Sequence, residues 1–285
     1  PRPIDFAGFV LAGIAFAGII FGLSVISLPA IPQIVGYVAV GAGVLAAVLY
    51  WFHARRTEYP LLDPTLLARH RLFRSAIIGG SIFRIGVGAT PFLLPLMLQL
   101  AFGLTPFESG LITFIGAFGA MLSKVVAERI YAAFGFPRIL ASASIAACLA
   151  LSLNGFLTPE TPHIFIYALL LTMGLLRSVF FTGVNALGYA DIDDHDASQA
   201  SAISAVSQQL SIAFGVAVAG GALEVSAQVL GGELSLEAFH IAWFVVAGVS
   251  LLSVLAFWRL PPDAGSNVSG HKAIKPAPKP DDTPL

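Results

Sequence analysis

Residues 79–99, GGSIFRIGVGATPFLLPLMLQ, decide how this chain is read. The stretch meets the requirement of a bilayer core for about 20 predominantly apolar residues. Yet it carries Arg84 well inside its first half. Arg84 lies about ten residues beyond Arg74, hence roughly 15 Å along a helix at 1.5 Å per residue, too deep for easy snorkelling to one face. Placing Arg at the centre of a span costs at least about 2.5–3.5 kcal/mol, so such a residue is expected to face a cavity or a partner.

The rest of the chain supports a membrane setting. Of 285 residues, 57% are hydrophobic and 11% charged, and the mean hydropathy is +0.86. An ordinary soluble domain is about one quarter charged. A net charge of −1 and a pI near 6.7 leave no basic excess of the kind nucleic-acid binding requires. The single cysteine, Cys148, excludes an intrachain disulfide and a Cys-based metal site, and it reads as a small packing residue. The opening PRPIDFAG has no initiator Met and no basic segment before a short apolar run, so no signal peptide is expected and the chain reads as a piece of a longer one.

Eight stretches of spanning character fall near residues 6–28, 34–52, 75–99, 106–124, 138–157, 163–188, 201–223 and 239–258. The segments joining them alternate. PAIPQ, AFGLT and TPETP are short and lack Lys and Arg, whereas HARRTEYPLLDPTLLARHRLFR and KVVAERIYAAFGFPR are basic. Basic loops stay on the cytoplasmic side, so both ends of the chain are expected to be cytoplasmic. Apart from Arg84 and Arg177, every Lys and Arg falls at that one set of ends. The expected organisation is two transmembrane helices over 1–60, a cytoplasmic connection over 61–74, a six-helix bundle over 75–258 and a disordered cytoplasmic tail over 259–285. Within the connection, LLDPTLLARHR reads either as an amphipathic turn on the membrane surface or as an ordinary basic loop.

Polar and small residues are not scattered around the spans. Ser81, Arg84, Gly88, Pro91, Pro95 and Gln99 share one helical face of the third span. Gly174, Arg177, Phe181, Asn185 and Gly188 share a face of the sixth, and Ser201, Ser204, Gln208, Ser211, Gly215 and Ala219 a face of the seventh. The small residues permit close helix approach, and the two prolines free backbone carbonyls. The amides of Gln99, Asn185, Gln208 and Gln209 are costly to hide from water unless hydrogen-bonded. Together with Arg84 and Arg177 they are the candidate lining of a substrate or translocation cavity. Every acidic residue lies in a loop or at the end of a span, and Glu224 is the nearest to a membrane-embedded carboxylate. The run DIDDHDAS at 191–198 lacks EF-hand spacing and reads as a solvated loop in which Asp196 or Ser198 caps the next helix. No metal ligand set and no catalytic motif is visible.

Three runs of residues carry a resemblance. PLLDPTLLARHRLFRSAIIGG precedes the third span, GATPFLLPLMLQLAFGLTPFESGLITFIGAFGAM runs through the third and fourth, and FFTGVNALGYADID with ASQASAISAVSQQLSIAFGVAVAG runs through the sixth and seventh. These resemble the fourteen-helix drug:proton antiporters of the major facilitator superfamily, the EmrB/QacA type. The resemblance implies an all-α membrane protein with eight transmembrane helices, two linker helices followed by a six-helix C-terminal bundle of two inverted three-helix repeats. It implies efflux of lipophilic or drug-like compounds by alternating access in a bacterial-type inner membrane, with no cofactor beyond a proton gradient. The implied partners are an N-terminal half of the same transporter, the bilayer and a small-molecule substrate. By position KVVAERIYAAFGFPR matches the family's charge-rich loop, its acidic-basic pair represented by Glu128 and Arg129. A facilitator for another solute, such as a siderophore or organic acid, and a non-transporting membrane scaffold remain the alternatives.

Overall fold

The computed structural model describes residues 5–26 and 32–269, and all regular structure among them is helical. The elements are α1 (Phe6–Ile26), α2 (Gln33–Ala54), α3 (Leu66–Arg69), α4 (Arg71–Leu100), α5 (Pro106–Leu122) and α6 (Lys124–Phe134). They continue with α7 (Phe136–Leu153), α8 (His163–Tyr189), α9 (Ala197–Val229), α10 (Leu236–Leu251), α11 (Ser253–Trp258) and α12 (Ser266–Ser269). Among the described residues, seven helical segments are long and apolar enough to cross a bilayer: α1, α2, α4, α7 with the turn that ends it, α8, α9, and α10 with α11. The expected fourth span is α5, apolar but only 17 residues long. That is the short limit of the usual range of about 17–25.

Helix ends differ from the apolar limits read in the sequence. The clearest case is α9, whose 33 residues at about 1.5 Å each reach beyond a hydrocarbon core roughly 30 Å thick. Apolarity marks where lipid or core begins, while Ala, Ser and Gln continue the helix into the polar zone. α5 starts with a reciprocal cap: the Glu108 amide donates to Thr105 Oγ1 at 3.3 Å, and the Thr105 amide donates to Glu108 Oε2 at 2.8 Å.

The segment 124–138, expected to be a loop, is mostly helix. α6 occupies Lys124–Phe134, and Gly135, with φ of 76°, turns the chain directly into α7. Only glycine adopts that backbone without penalty. Ala127 and Tyr131, one turn apart, are buried, and Tyr131 Oη donates to the Val179 carbonyl at 2.8 Å. A helical stripe thus overrides the charges that suggested a loop. Arg129 is exposed, and the side chain of Glu128 lies outside the described residues.

The 53–74 connection is held to the bundle along α3. Leu66 is fully buried with Phe73, Ala200 and Ile203, and Leu67 packs beside them, so the apolar side of α3 meets α4 and α9. Beyond α11 the chain stays packed: Leu260 and Ala264 are buried, and Asn267 Nδ2 donates to the Ala190 carbonyl at 2.9 Å. Residues 259–269 of the expected tail are therefore held against the bundle, and 270–285 lie outside the described residues.

Helix packing follows a repeating scheme. α4 packs on α9 and α5 on α8; α10 packs on α4 and α7 on α8; α4 also meets α8, and α7 meets α10. Exchanging α4 with α8, α5 with α9 and α7 with α10 reproduces these six pairings, as two three-helix repeats would, although the packing of α9 on α10 has no comparable counterpart between α5 and α7. Both main crossings bring backbones together at glycine. A Cβ on Gly88 would lie 2.9 Å from the Ile212 Cα, and one on Gly215 would collide with the Ile85 carbonyl. At the other crossing, a Cβ on Gly174 would strike the Gly116 carbonyl and one on Gly119 the Leu171 carbonyl. The two cores divide by depth. Phe83, Phe180, Phe257 and Leu140 fill the end bearing the basic connections, and Leu94, Met97, Phe239 and Trp243 the opposite end. The α1–α2 hairpin leans on α9.

Candidate functional site: a polar depression between α4, α8 and α9

α4 is a single 30-residue helix that contains Pro91 and Pro95. Proline has no amide hydrogen, so the carbonyls one turn earlier, of Val87 and Pro91, lose their helical donors. Both residues border an open depression of about 350 Å³, whose remaining lining is Arg84 and Gly88 from α4, Arg177, Phe181 and Asn185 from α8, and Gln208 and Ile212 from α9. Gly88 and Gly215 let α4 and α9 approach closely enough to place their polar faces on one surface.

Arg84 is 8% exposed, with its guanidinium carbon 4.4 Å from the centre of the Phe181 ring. Phe181 is itself held by edge contacts with Phe83 and Phe180, each with centroids 5.6 Å away. A cation over an aromatic face gains about 0.5–2 kcal/mol. That offsets only part of the cost of burying the charge, at least about 2.5 kcal/mol. Among the described residues, no carboxylate lies within ion-pair distance of Arg84 or Arg177, and neither guanidinium donates a hydrogen bond. Arg177 is half-buried. Two cations, two amides and an aromatic ring thus line one concavity, beside the prolines that interrupt the hydrogen bonding of α4.

A second space adjoins it. A mainly apolar pocket of about 160 Å³ lies among α4, α5, α7 and α8, lined by Phe83, Leu94, Thr113, Leu151, Leu170 and Met173 among others. Val87, Pro91 and Arg177 border both spaces.

Of the six residues singled out in the sequence, Arg84, Arg177, Asn185 and Gln208 are brought together here. Gln99 is not: near the far end of α4, its Nε2 donates to Ser109 Oγ at 3.5 Å and so links α4 to α5. Gln209 is exposed and points away from the depression. Glu224 is exposed near the end of α9, accepting from Gln228 at 3.4 Å. The pocket residues Thr90 and Thr113 went unremarked in the sequence. Threonine hydroxyls satisfy themselves on their own helix, as Thr113 does on the Ser109 carbonyl at 2.7 Å, so their composition carries no signal.

The basic end carries a separate polar network. Asp196 stands at the first turn of α9 but its side chain does not cap that helix. Instead it accepts from His195 Nδ1 at 3.1 Å, and from His70 Nε2 and Arg69 Nη1 at 3.4 Å each, while Arg69 also reaches Asp63 at 2.7 Å. The bond from His195 holds the Asp196 carboxyl below its ordinary range; burial opposes this, and His70 and Arg69 add to it. The capping is done elsewhere in the run: Asp191 accepts from the Leu72 and Phe73 amides at 2.9 and 3.3 Å, at the start of α4. Two of the four aspartates read as a solvated loop, Asp191 and Asp196, therefore clamp the 53–74 connection to the α8–α9 turn, while Asp193 and Asp194 are exposed. Among the described residues no group of His, Cys, Asp or Glu could hold a metal ion. The hairpin is tied in similarly. Burial works against ionisation of Asp5, but hydrogen bonds from His53, Gly8 and Leu61 hold its carboxyl low.

Comparison with known proteins agrees with this architecture. Residues 6–216 match the Major Facilitator Superfamily, and the chain belongs to that family of membrane transporters. Among curated relatives, it is 30% identical over 265 residues to a protein of Pectobacterium atrosepticum that carries the provisional name multidrug resistance protein MdtD. That match covers 91% of this chain and 56% of the relative. The protein so named in Escherichia coli O6:H1 is 30% identical over 94% of this chain and 57% of its own length, and that of Yersinia enterocolitica 28% identical over 93% and 57%. The chain spans little more than half the length of the relatives it matches.

Proposed function

We propose that this chain forms the C-terminal part of a proton-coupled exporter of lipophilic or drug-like compounds that works by alternating access. In this reading α5 is the eighth crossing, α1 and α2 are linker helices, and both ends of the chain are cytoplasmic in a bacterial-type inner membrane. The six-helix bundle rocks against an N-terminal half, and the coupling carboxylate comes from that half. The observation that carries the reading is the depression holding Arg84, Arg177, Asn185 and Gln208, a polar concavity on an otherwise apolar bundle. Polar groups inside a membrane are expensive and are placed where solutes or ions pass. The names of the relatives and the repeat packing of the helices support it further.

The test is dye efflux from cells that express the complete reading frame containing this chain. Cells with the protein are expected to retain less of a lipophilic dye, with the difference abolished by a protonophore and strongly reduced by Arg84→Ala and Arg177→Ala at equal membrane abundance. Wild-type efflux from both variants would rule out a role for the depression.

A further inference from the structure

We infer that the ligand of this site is an amphiphilic anion: a carboxylate or similar oxyanion held by Arg84 and Arg177, with a single-ring-sized apolar group in the neighbouring pocket. The inference rests on the export reading and narrows its substrate class.

Both guanidinium groups lie within spanning helices and border one 350 Å³ depression. Arg84 is more than nine-tenths buried, and Phe181 covers one face of its plane, leaving the nitrogen edges as unused donors. Those edges present the fork that matches the two oxygens of a carboxylate. All carboxylates among the described residues stand near helix ends or in connections, none in the depression. An organic cation would meet two charges of its own sign here, a repulsion that discriminates strongly between ligands.

The adjoining pocket, about 160 Å³, compares with the roughly 150 Å³ of an apolar protein cavity that takes up benzene. Its wall includes Phe83, Leu94, Leu151, Leu170 and Met173, and it shares Val87, Pro91 and Arg177 with the depression. A ligand with its charged end at the arginines therefore has a mainly apolar compartment next to it for an aliphatic or aromatic body. Asn185 and Gln208 can serve a hydroxyl or carbonyl on the same ligand. A small polyanion would leave that compartment empty, and a neutral lipophile would leave two arginines without a counter-charge.

The experiment uses purified protein from the complete reading frame and four probes: phenylbutyrate, phenylbutyramide, phenylbutylamine and butyrate. Binding is read as ligand-dependent thermal stabilisation. Phenylbutyrate is expected to bind more tightly than the amide or the amine by about tenfold or more, the scale of a hydrogen bond to a charged group. Arg84→Gln and Arg177→Gln should each remove that preference, whereas Arg84→Lys keeps part of it. Ala117→Phe, at the exposed rim of the pocket, should bring phenylbutyrate down to the level of butyrate without touching the arginines. Equal binding of acid, amide and amine would overturn the inference, as would a preference for the acid that survives both Arg→Gln variants. Lipophilic dye efflux without acid binding leaves export standing and removes the anion assignment. Acid-selective binding without efflux of any probe keeps the ligand class and removes export.

Discussion

Helices α1 and α2 hold no Asp, Glu, Lys or Arg and meet through glycine, with Gly22 against the Gly36 backbone and Gly43 against Ile19, and most of their remaining surface is exposed. α4 also uses glycine to approach a neighbour, but it adds two prolines and a buried arginine, and its opposite side is sealed into both cores. The hairpin therefore needs only lipid and close contact to be stable. α4 carries costs that packing alone does not repay, and they are concentrated on the face toward Arg177, Asn185 and Gln208. Close helix contact is shared by both regions; polar groups at depth distinguish α4.

Substitutions sharpen that contrast. The largest effect is expected from Gly174→Leu, since even a Cβ there collides with the Gly116 backbone. Overpacking of about 1–3 kcal/mol or more should appear as reduced thermal stability and low yield of folded protein in detergent. Gly41→Leu, in the hairpin with nothing within 4 Å of a Cβ, should be neutral in the same assay, and a comparable loss would erase the distinction.

Next comes Arg84→Met. Removing a buried charge with no ion-pair partner recovers an insertion cost of at least about 2.5 kcal/mol and gives up about 0.5–2 kcal/mol of contact with Phe181. The variant is expected to melt higher by about 1 kcal/mol of stability while transporting less. A variant that melts lower would mean that Arg84 is a structural tie.

The smallest effect is at the basic end. Asp196 has a depressed pKa in the folded protein, so its contribution is present above the unfolded-state value and is lost as pH falls through the folded one. Asp196→Asn should cost up to about 1 kcal/mol near neutral pH, with the gap between wild type and variant closing in acid below the ordinary carboxylate range. Melting curves recorded along that pH series check it; a gap independent of pH would assign the effect to packing.

Much of this was legible beforehand. Long apolar runs have few ways to satisfy their backbone in lipid other than as helices, so the spans could be located from composition. Arg84, Arg177, Asn185 and Gln208 could be nominated because spacings of three and four fix a face on any helix. The charges of α6 mask the spacing of Ala127, Ile130 and Tyr131, which is the stripe of a helix lying against a neighbour. Leu66 and Leu67 were ambiguous because a leucine facing lipid and one facing protein look alike in sequence. Apart from the adjacent His195, the side-chain partners of Asp191 and Asp196 are more than 100 residues away along the chain, beyond any local pattern.

By itself the sequence determined the class of protein, the approximate positions of its spans, and the depth and helical face of its two intramembrane arginines. These depend on local quantities: hydropathy, helical period and the cost of charge in lipid. Only the tertiary structure decided that Gln99 serves α5 rather than the depression, that Arg84 lies on Phe181, and that an apolar pocket opens beside Arg177. Those facts depend on which helices cross and at which glycines, and crossing is set by shape between segments distant in the chain.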